Sequence, residues 1–232
     1  MHALILVGGL GTRLQSLFPD RPKALVPILG RPFIERQIAW LHAQGVTSVH
    51  LAAGHKAAML EDWARDWKSA PLPVTVSIEP LPLGTAGGLK FVEPFVRGEI
   101  FIVLNGDSLL PRLDLRAMLR AHHENKAAVT FAVTRIGQNG RYGTVEFDGS
   151  NRLTAFLEKA ERTGGWVNGG VYAMNRAVLA GIAPGKNLSL ETDVFPALTK
   201  AGTLRVFHCD PPLLDMGTPD GIRAMEKFLA PA

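Results

Sequence analysis

The N-terminal segment joins an apolar run to a glycine-rich turn, and it constrains the fold more than any other part of the chain. Residues 3–7 show no alternation of apolar and polar side chains, which predicts a parallel strand covered on both faces. Residues 8–11 contain three glycines, whose backbone N–H groups can approach a bulky anion closely. Arg13 and Lys23 add positive charge nearby. The segment therefore predicts a polyphosphate site at the end of a strand.

Two common phosphate-binding motifs do not fit this turn. Counted from Gly8, the second glycine of a P-loop falls at Arg13. Counted from Gly9, the third glycine of the dinucleotide-binding fingerprint falls at Leu14, which argues against a nicotinamide oxidoreductase. An ordinary glycine turn after a first strand remains an alternative, but it leaves the later Lys23 unexplained.

Strands and helices are predicted to alternate along the first part of the chain. Strands are predicted at 49–53, 74–78 and 100–104, and helices at 33–44, 57–68 and 84–92. This order predicts an α/β fold with a doubly wound, mostly parallel, Rossmann-like sheet, whose ligands lie beyond the carboxyl ends of the strands. Because no linker or repeat interrupts the pattern, we expect one domain over residues 1–232.

The second half of the chain reads differently. An alternating region is predicted over 141–148, and shorter strands follow at 153–157 and 166–174. Together they indicate a small antiparallel flap beside the parallel sheet. Ser189 and Thr218 are predicted helix N-caps, the second followed by Pro219. His122 and His123 are adjacent on a helix and so do not share a face, and we expect both at the surface.

An acidic residue follows another predicted strand. The apolar run 100–104 ends in Asn105-Gly106-Asp107, which places a carboxylate at the strand end where a triphosphate is expected. Mg²⁺ is usually held by one or two carboxylates together with phosphate oxygens. Asp107 is therefore a candidate Mg²⁺ ligand, and the alternative is an aspartate that only stabilises a turn.

Composition excludes several classes of protein. The formal net charge is +4 without a run of five basic residues, which argues against nucleic acid as a partner. No apolar run reaches 18 residues, which argues against a membrane partner. Cys209 is alone, so we expect no disulfide framework, and a small core hydrophobe at that position. With no room for a signal peptide before the first strand, we expect a cytoplasmic protein.

The spelling G-G-x-G-T-R-L, followed by P-K and then P, resembles the signature of the sugar-1-phosphate nucleotidyltransferases. The resemblance implies an enzyme that joins a nucleoside triphosphate to a sugar 1-phosphate, releases pyrophosphate, uses Mg²⁺ and acts as a monomer or homodimer. Within the family, the spelling most resembles guanylyltransferases for D-glycero-α-D-manno-heptose 1-phosphate, which implies GTP and a GDP-sugar for surface glycans. A uridylyltransferase for N-acetylmuramate 1-phosphate or a hexose 1-phosphate is the alternative, and a non-catalytic nucleotide-sugar sensor is a second one.

The resemblance also assigns residues to roles. The predicted nucleotide-binding residues are Leu6, Gly8, Gly9, Gly11, Thr12, Arg13, Lys23, Gly84, Thr85, Ala86, Asn105 and Asp107. The predicted sugar-phosphate-binding residues are Gly143, Glu158, Lys159, Asn168, Gly169 and Glu191. The catalytic residues are Arg13, Lys23 and Asp107, and Asp215 in the D-x-G-T-P segment is the second metal ligand beside Asp107.

Some of these assignments have an alternative or a mismatch. Residues 84–86 lie against base and ribose in the family, whereas by themselves they fit a helix start capped by Thr85. Ala160 follows Glu158-Lys159 where many relatives carry proline, and Thr192 follows Glu191 where relatives carry Lys or Arg. The match to the family is therefore less complete for the predicted sugar-phosphate-binding residues than for the predicted nucleotide-binding residues.

Overall fold

The computed structural model describes residues 1–9, 11–14, 16–137, 144–157 and 164–230. The strands are β1 (His2–Val7), β2 (Pro27–Ile28), β3 (Arg31–Pro32), β4 (Ser48–Ala53), β5 (Val74–Ile78), β6 (Ile100–Asn105), β7 (Ser108–Leu109), β8 (Val129–Ile136), β9 (Thr144–Phe147), β10 (Leu153–Leu157), β11 (Gly165–Asn175), β12 (Leu204–His208) and β13 (Leu214–Asp215). The α-helices are α1 (Phe33–Ala43), α2 (Ala57–Asp66), α3 (Gly84–Phe91), α4 (Leu115–Glu124), α5 (Phe195–Lys200) and α6 (Pro219–Leu229). None of the helices in these ranges is long and apolar enough to cross a membrane.

The first half of the chain forms the parallel centre of the sheet. β1 pairs in parallel with β4 on one side and β6 on the other, and β4 pairs in parallel with β5. The register aligns Val7 with Ala53 and Ala53 with Ile78, and Leu6 lies opposite Asn105. The carboxyl ends of these four strands therefore share one edge of the sheet, as predicted from the alternating order of strands and helices.

The second half extends the same sheet. β11 is antiparallel to β6, β8 and β9, and β12 runs parallel to β8. The main path of the nine-stranded sheet is β10-β9-β11-β6-β1-β4-β5. The predicted α/β fold class is confirmed, and the antiparallel strands expected as a flap are continuous with the parallel centre.

Apolar side chains cover both faces of the sheet. Ile34 and Ile38 of α1 are fully buried in a cluster on one face, and Leu89 of α3 is fully buried in a cluster on the other. A third cluster joins Met225 of α6 to Leu214 of β13. This last cluster holds β13 in place, and β13 carries one of the predicted metal ligands.

Two predicted N-caps are confirmed. Thr218 accepts a hydrogen bond from the N–H of Gly221, and Pro219 is the first residue of α6. The side chain of Ser189 accepts a hydrogen bond from the N–H of Glu191. Ser189 precedes a π-helical turn, Leu190–Val194, that leads into α5. Short polar side chains therefore satisfy free N–H groups at both helix starts, as the sequence indicated.

Thr85 does not cap α3. The helix begins at Gly84, and the Oγ1 atom of Thr85 accepts a hydrogen bond from the N–H of Leu190 at 2.8 Å. The alternative interpretation of Thr85 as an N-cap is therefore wrong. The hydroxyl instead ties the start of α3 to the turn before α5, a long-range contact that local sequence does not encode.

The expected surface position of His122 is also wrong. His123 is exposed, but His122 is buried, with its ring nitrogens 3.0 Å from Thr130 Oγ1 and 3.0 Å from Asn175 Oδ1. Adjacent helix positions point in different directions, so one histidine faces solvent and the other faces the sheet. Burial lowers the pKa of His122 and favours its neutral form.

His50 makes the stability of the fold depend on pH. It is fully buried, its ring nitrogens lie 2.7 Å from Thr75 Oγ1 and 2.9 Å from Ser77 Oγ, and its ring stacks on Phe95. Burial, followed by the charge of His2, lowers its pKa to about 4. Between pH 6.5 and 4 the unfolded chain thus binds a proton that the folded chain does not, so the free energy of unfolding falls as pH falls.

We expect this residue to account for about 3 kcal/mol of lost stability across that window. Urea unfolding at pH 7.5, 5.5 and 4.5 measures the loss, and His50→Asn should flatten the pH profile. His123→Asn, an exposed change, is the control and should leave the profile as it is. An unchanged slope in His50→Asn would assign the acid sensitivity to other groups.

Candidate functional site

A cavity of about 380 Å³ lies at the sheet edge where β1, β5 and β6 end and α3 begins. A cavity of this size suits a small organic ligand. Its lining includes these predicted nucleotide-binding residues: Leu6, Gly8, Gly9, Gly11, Lys23, Gly84, Thr85, Asn105 and Asp107. It also includes residues outside that predicted set: Val7, Ala24, Glu79, Pro82, Leu83, Gly106 and Asn187. The glycine-rich turn and the start of α3, which are distant in sequence, therefore face the same cavity.

Three further predicted nucleotide-binding residues lie outside this lining. Ala86 is fully buried in α3, and its N–H donates to the carbonyl of Leu188 at 2.9 Å. Thr12 and Arg13 belong to a short 3-10 turn, where the Arg13 side chain is exposed. Contacts of these three residues with a nucleotide stay predictions.

Lys23 and Asp107 form an ion pair in the cavity. The Nζ atom of Lys23 donates to Oδ2 of Asp107 at 2.7 Å. The lysine side chain is 17% exposed and the aspartate side chain 42% exposed, so the pair is only partly shielded from water. Lys23 begins the 3-10 turn Lys23–Leu25, and its stem packs beside Gly11 of the glycine-rich turn. The positive charge thus lies beside the segment predicted to bind phosphates.

The fold brings the two predicted metal ligands together. β13 pairs with β7 so that Asp215 lies opposite Ser108, the residue after Asp107. The N–H of Met216 donates to the carbonyl of Asp107 at 3.0 Å. Asp215 Oδ1 accepts a hydrogen bond from the N–H of Gly217 at 2.6 Å, which helps to fix its carboxylate.

The chemistry of these donors fits Mg²⁺. No group of three or more His, Cys, Asp or Glu side chains in the described part of the chain could hold a metal by itself. Mg²⁺ usually takes one or two protein carboxylates and completes its shell with water and substrate phosphates. Asp107 and Asp215 therefore suit a metal ion that binds together with a phosphorylated ligand.

Glu79 brings a negative charge to another part of the cavity. The residue follows β5, and its N–H donates to the carbonyl of Ala53 at 2.7 Å. The N–H of Leu83 approaches Oε2 of Glu79 at 3.4 Å, and both carboxylate oxygens lie beside Gly8. Burial raises the pKa of this carboxyl. The cavity therefore has an acidic acceptor at Glu79, beside Gly8, and a cation at Lys23, beside Gly11.

Two predicted sugar-binding residues are joined through Tyr172. The amide of Asn168 donates to Tyr172 Oη at 2.8 Å, and that hydroxyl donates to Glu191 Oε1 at 3.3 Å. Tyr172 is fully buried, and burial raises its pKa well above the usual range, so it keeps its proton. Ser189 Oγ donates to the other oxygen of Glu191 at 3.0 Å. The orientations of Asn168 and Glu191 are thus fixed by one network.

The Asn-Gly-Gly segment of β11 packs closely on the turn that carries Asp107. Gly170 has a φ of +72°, and a Cβ atom there would lie 2.7 Å from Ser108 Oγ and 3.0 Å from Asn105 Nδ2. Gly169 is buried and packs against Leu110. The other predicted sugar-phosphate residues, Gly143, Glu158 and Lys159, lie outside the described residues, and their roles stay predictions.

Fold and cavity together define an α/β protein with a cavity, lined by a glycine-rich turn and Lys23, at the carboxyl edge of a Rossmann-like sheet. Comparison with known proteins identifies the family. Residues 2–231 match the nucleotidyl transferase family. The chain belongs to this family, which confirms the family expected from the N-terminal motif.

Two relatives are similar over most of the chain. A D-glycero-alpha-D-manno-heptose 1-phosphate guanylyltransferase of Aneurinibacillus thermoaerophilus is 35% identical over 229 residues, which cover 99% of this chain and 98% of the relative. A mannose-1-phosphate guanylyltransferase of Mycobacterium tuberculosis is 36% identical over 223 residues, which cover 95% of this chain but 62% of the relative. The crystal structure of HddC from Yersinia pseudotuberculosis complexed with GMP-PN has a TM-score of 0.87 at 30% identity, covering 98% of this chain and 99% of HddC.

Proposed function

We propose that this protein transfers GMP from GTP to a manno-configured sugar 1-phosphate and releases pyrophosphate, with D-glycero-α-D-manno-heptose 1-phosphate as the preferred acceptor. Both relatives described above are named as guanylyltransferases, and both names specify a sugar 1-phosphate of manno configuration. The spelling of the motifs, which most resembles that of the heptose 1-phosphate guanylyltransferases, supports the heptose as the acceptor.

The proposal rests on the separation of the positive charge of Lys23 from the negative charge of Glu79 within the cavity. Lys23 lies with the glycine-rich turn and the two carboxylates, which is where a triphosphate and its metal ion would bind. Glu79 lies beside Gly8 and Leu83, where phosphates would be repelled and a base is better accommodated. The nucleotide is thus expected to lie with its phosphates toward Lys23 and its base toward Glu79.

The carboxylate of Glu79 distinguishes among bases. Guanine presents two adjacent donors, the N1–H group and the 2-amino group, and these match the two acceptor oxygens of one carboxylate. Uracil and thymine present a single N–H between two carbonyl oxygens, which a carboxylate would repel. This edge complementarity supports GTP over UTP and dTTP.

The remaining residues suit a substitution at the α-phosphorus. An oxygen of the sugar phosphate forms the new bond to the α-phosphorus. The bond from the α-phosphorus to the oxygen that bridges the α- and β-phosphates breaks, and pyrophosphate leaves with that electron pair. The nucleophile is already ionised near neutral pH, so no general base is needed. Lys23 would neutralise the α-phosphate, with Arg13 toward the leaving phosphates and Lys159 toward the sugar phosphate.

Asp107 and Asp215 would hold the Mg²⁺ ion, whose chemistry is to offset the negative charge of the phosphates. On the sugar side, Asn168 and Glu191 have amide and carboxylate groups suited to sugar hydroxyls, and Tyr172 keeps both in a fixed orientation. Gly143 and Glu158 are assigned to the same side of the site. We place the reaction in the cytoplasm, where nucleoside triphosphates are available, with a GDP-sugar for surface glycans as its product.

A nucleotide panel tests the proposal. The protein is incubated with Mg²⁺, one of GTP, ITP, UTP, dTTP, CTP or ATP, and a sugar 1-phosphate, and pyrophosphate is measured. We expect GTP to exceed UTP in kcat/KM by at least ~10²-fold, because a site built for guanine leaves polar groups unpaired with uracil. ITP, which lacks the 2-amino group, should fall between them.

Glu79→Gln tests the residue that would read the base. The substitution should lower kcat/KM for GTP, because one charged acceptor is lost. It should also reduce the ratio of kcat/KM for GTP to kcat/KM for ITP. Glu93→Gln is the matched control, since Glu93 is a half-buried glutamate paired with Lys90 outside the cavity lining. A tenfold preference for UTP or dTTP would reject guanylyl transfer in favour of the uridylyltransferase alternative. No pyrophosphate with any pair of substrates would favour a nucleotide-sugar sensor.

A further inference from the structure

Gln37 of α1 holds both ends of the turn that carries Asp107. Its side chain is fully buried, and its amide nitrogen donates to the carbonyl of Asn105 at 2.9 Å and to the carbonyl of Ser108 at 2.7 Å. These two carbonyls flank Asp107 on either side. Gln37 is absent from the cavity lining, so it would act on Asp107 through the backbone rather than on the ligand.

Backbone contacts restrain the same turn from two other directions. The N–H of Gly106 donates to the carbonyl of Leu6 at 2.9 Å, and the N–H of Met216 donates to the carbonyl of Asp107 at 3.0 Å. A Cβ atom on Gly106 would lie 2.6 Å from the carbonyl oxygen of Leu6, so the turn lies directly against β1. β1 and the segment after β13 thus hold the middle of the turn, and a side chain of α1 holds its ends.

The chemistry of the position calls for a primary amide. The two carbonyl oxygens accept hydrogen bonds from two N–H donors, and the amide nitrogen of glutamine supplies both from one atom. The Oε1 atom of Gln37 is buried without a hydrogen-bond partner among the described residues. The opposite orientation of the amide would set an oxygen against two carbonyls, so the two bonds to the turn determine how this side chain lies.

We propose that Gln37 is a positioning residue that aims the carboxylate of Asp107 toward Asp215 and Lys23. The inference rests on the proposed function, because it assigns the purpose of Gln37 to the metal site of that reaction. A misplacement of about 1 Å at a reacting centre can lower the rate ~10²-fold, so the ends of this turn bear directly on the geometry of the site. Loss of such an outer contact typically weakens metal affinity or activity ~10–100-fold.

The test compares Gln37→Met with Ile38→Ala. Methionine keeps the length of the side chain but donates no hydrogen bond, whereas Ile38 is the next residue of α1, equally buried, and takes no part in holding the turn. Mn²⁺ binding is measured by electron paramagnetic resonance in the presence of saturating α,β-methylene GTP, together with thermal unfolding. This readout does not depend on turnover.

We expect the Kd for Mn²⁺ to rise about tenfold in Gln37→Met and to stay within twofold in Ile38→Ala, although both variants lose thermal stability. In turnover, Gln37→Met should lower kcat while the KM for the sugar phosphate stays near the wild-type value.

A failure of the positioning role can be distinguished from a failure of the proposed function. If the wild type binds Mn²⁺ and Asp107→Asn does not, yet Gln37→Met binds it as tightly as the wild type, Gln37 has only a structural role and this inference is overturned. If the wild type itself binds no Mn²⁺ in the presence of the nucleotide analogue, the metal site of the proposed function fails, and the positioning role fails with it.

Discussion

Replacing Asp107 by asparagine is expected to lower kcat at least ~10²-fold while leaving the fold intact, as for removal of one preorganised charged group. The amide has nearly the shape of the carboxylate but lacks its charge, so it is a poor partner for Mg²⁺ and for Lys23, which now lies 2.7 Å away. Asp215→Asn should produce a loss of the same order, because β13 presents its carboxylate beside the same turn.

Steady-state rates across a Mg²⁺ titration measure both losses. Asp66→Asn is the control, since Asp66 is 72% exposed at the end of α2 and pairs only loosely with Arg65. Circular dichroism and thermal unfolding should be close to wild type for all three proteins. If both Asp107→Asn and Asp215→Asn retained near-normal Mg²⁺-dependent rates, the metal assignment would have to be abandoned.

The central strands could be predicted because their signal is local. Residues 3–7 and 100–104 are unbroken apolar runs, which are typical of strands covered on both faces and are too short for a buried helix. The path of the sheet beyond β6 could not be predicted in the same way. β11 pairs with three different strands, and that pattern depends on long-range packing that no local spacing reports.

The glycine-rich turn, Lys23 and Asp107 could be placed in one site because the ends of parallel strands meet at a sheet edge. Glu79 was missed although it carries the same signal, a carboxylate directly after a predicted strand. Pro80 and Pro82 follow it, so the local pattern indicates a loop and does not show that this carboxylate faces a cavity.

Gln37 and Tyr172 could not have been found from local pattern. Each lies within an element whose apolar neighbours explain the helix or strand without it, and each acts through residues distant in sequence. His122 and Thr85 were misassigned for the same reason, since their partners lie on other elements. Polar side chains in an interior are placed by their partners, and sequence spacing does not identify those partners.

Lys23→Met is expected to change activity and metal affinity in opposite directions. Activity should fall at least ~10²-fold in kcat, with a smaller change in the KM for the sugar phosphate, because the lysine charge would be needed where phosphate charge shifts in the transition state. Metal binding to the protein without nucleotide should strengthen. Lys23 occupies Oδ2 of Asp107, so a divalent cation must approach a carboxylate that already has a cationic partner.

The size of the second effect follows from electrostatics. Two unit charges about 4 Å apart in water repel by about 1 kcal/mol, or roughly fivefold in affinity, and the partial burial of Lys23 makes this a lower bound. Mn²⁺ binding by electron paramagnetic resonance without nucleotide measures it.

Lys90→Met is the matched control for Lys23→Met. Lys90 is 18% exposed and pairs with Glu93 at 2.7 Å, so it has nearly the burial and geometry of Lys23, but it lies outside the cavity lining. It should change neither kcat nor Mn²⁺ affinity. A Lys23→Met protein with reduced activity and equally reduced Mn²⁺ affinity would show that the lysine only supports the metal site. Only an activity loss with stronger metal binding fits a lysine that leaves Asp107 for a phosphate when the nucleotide binds.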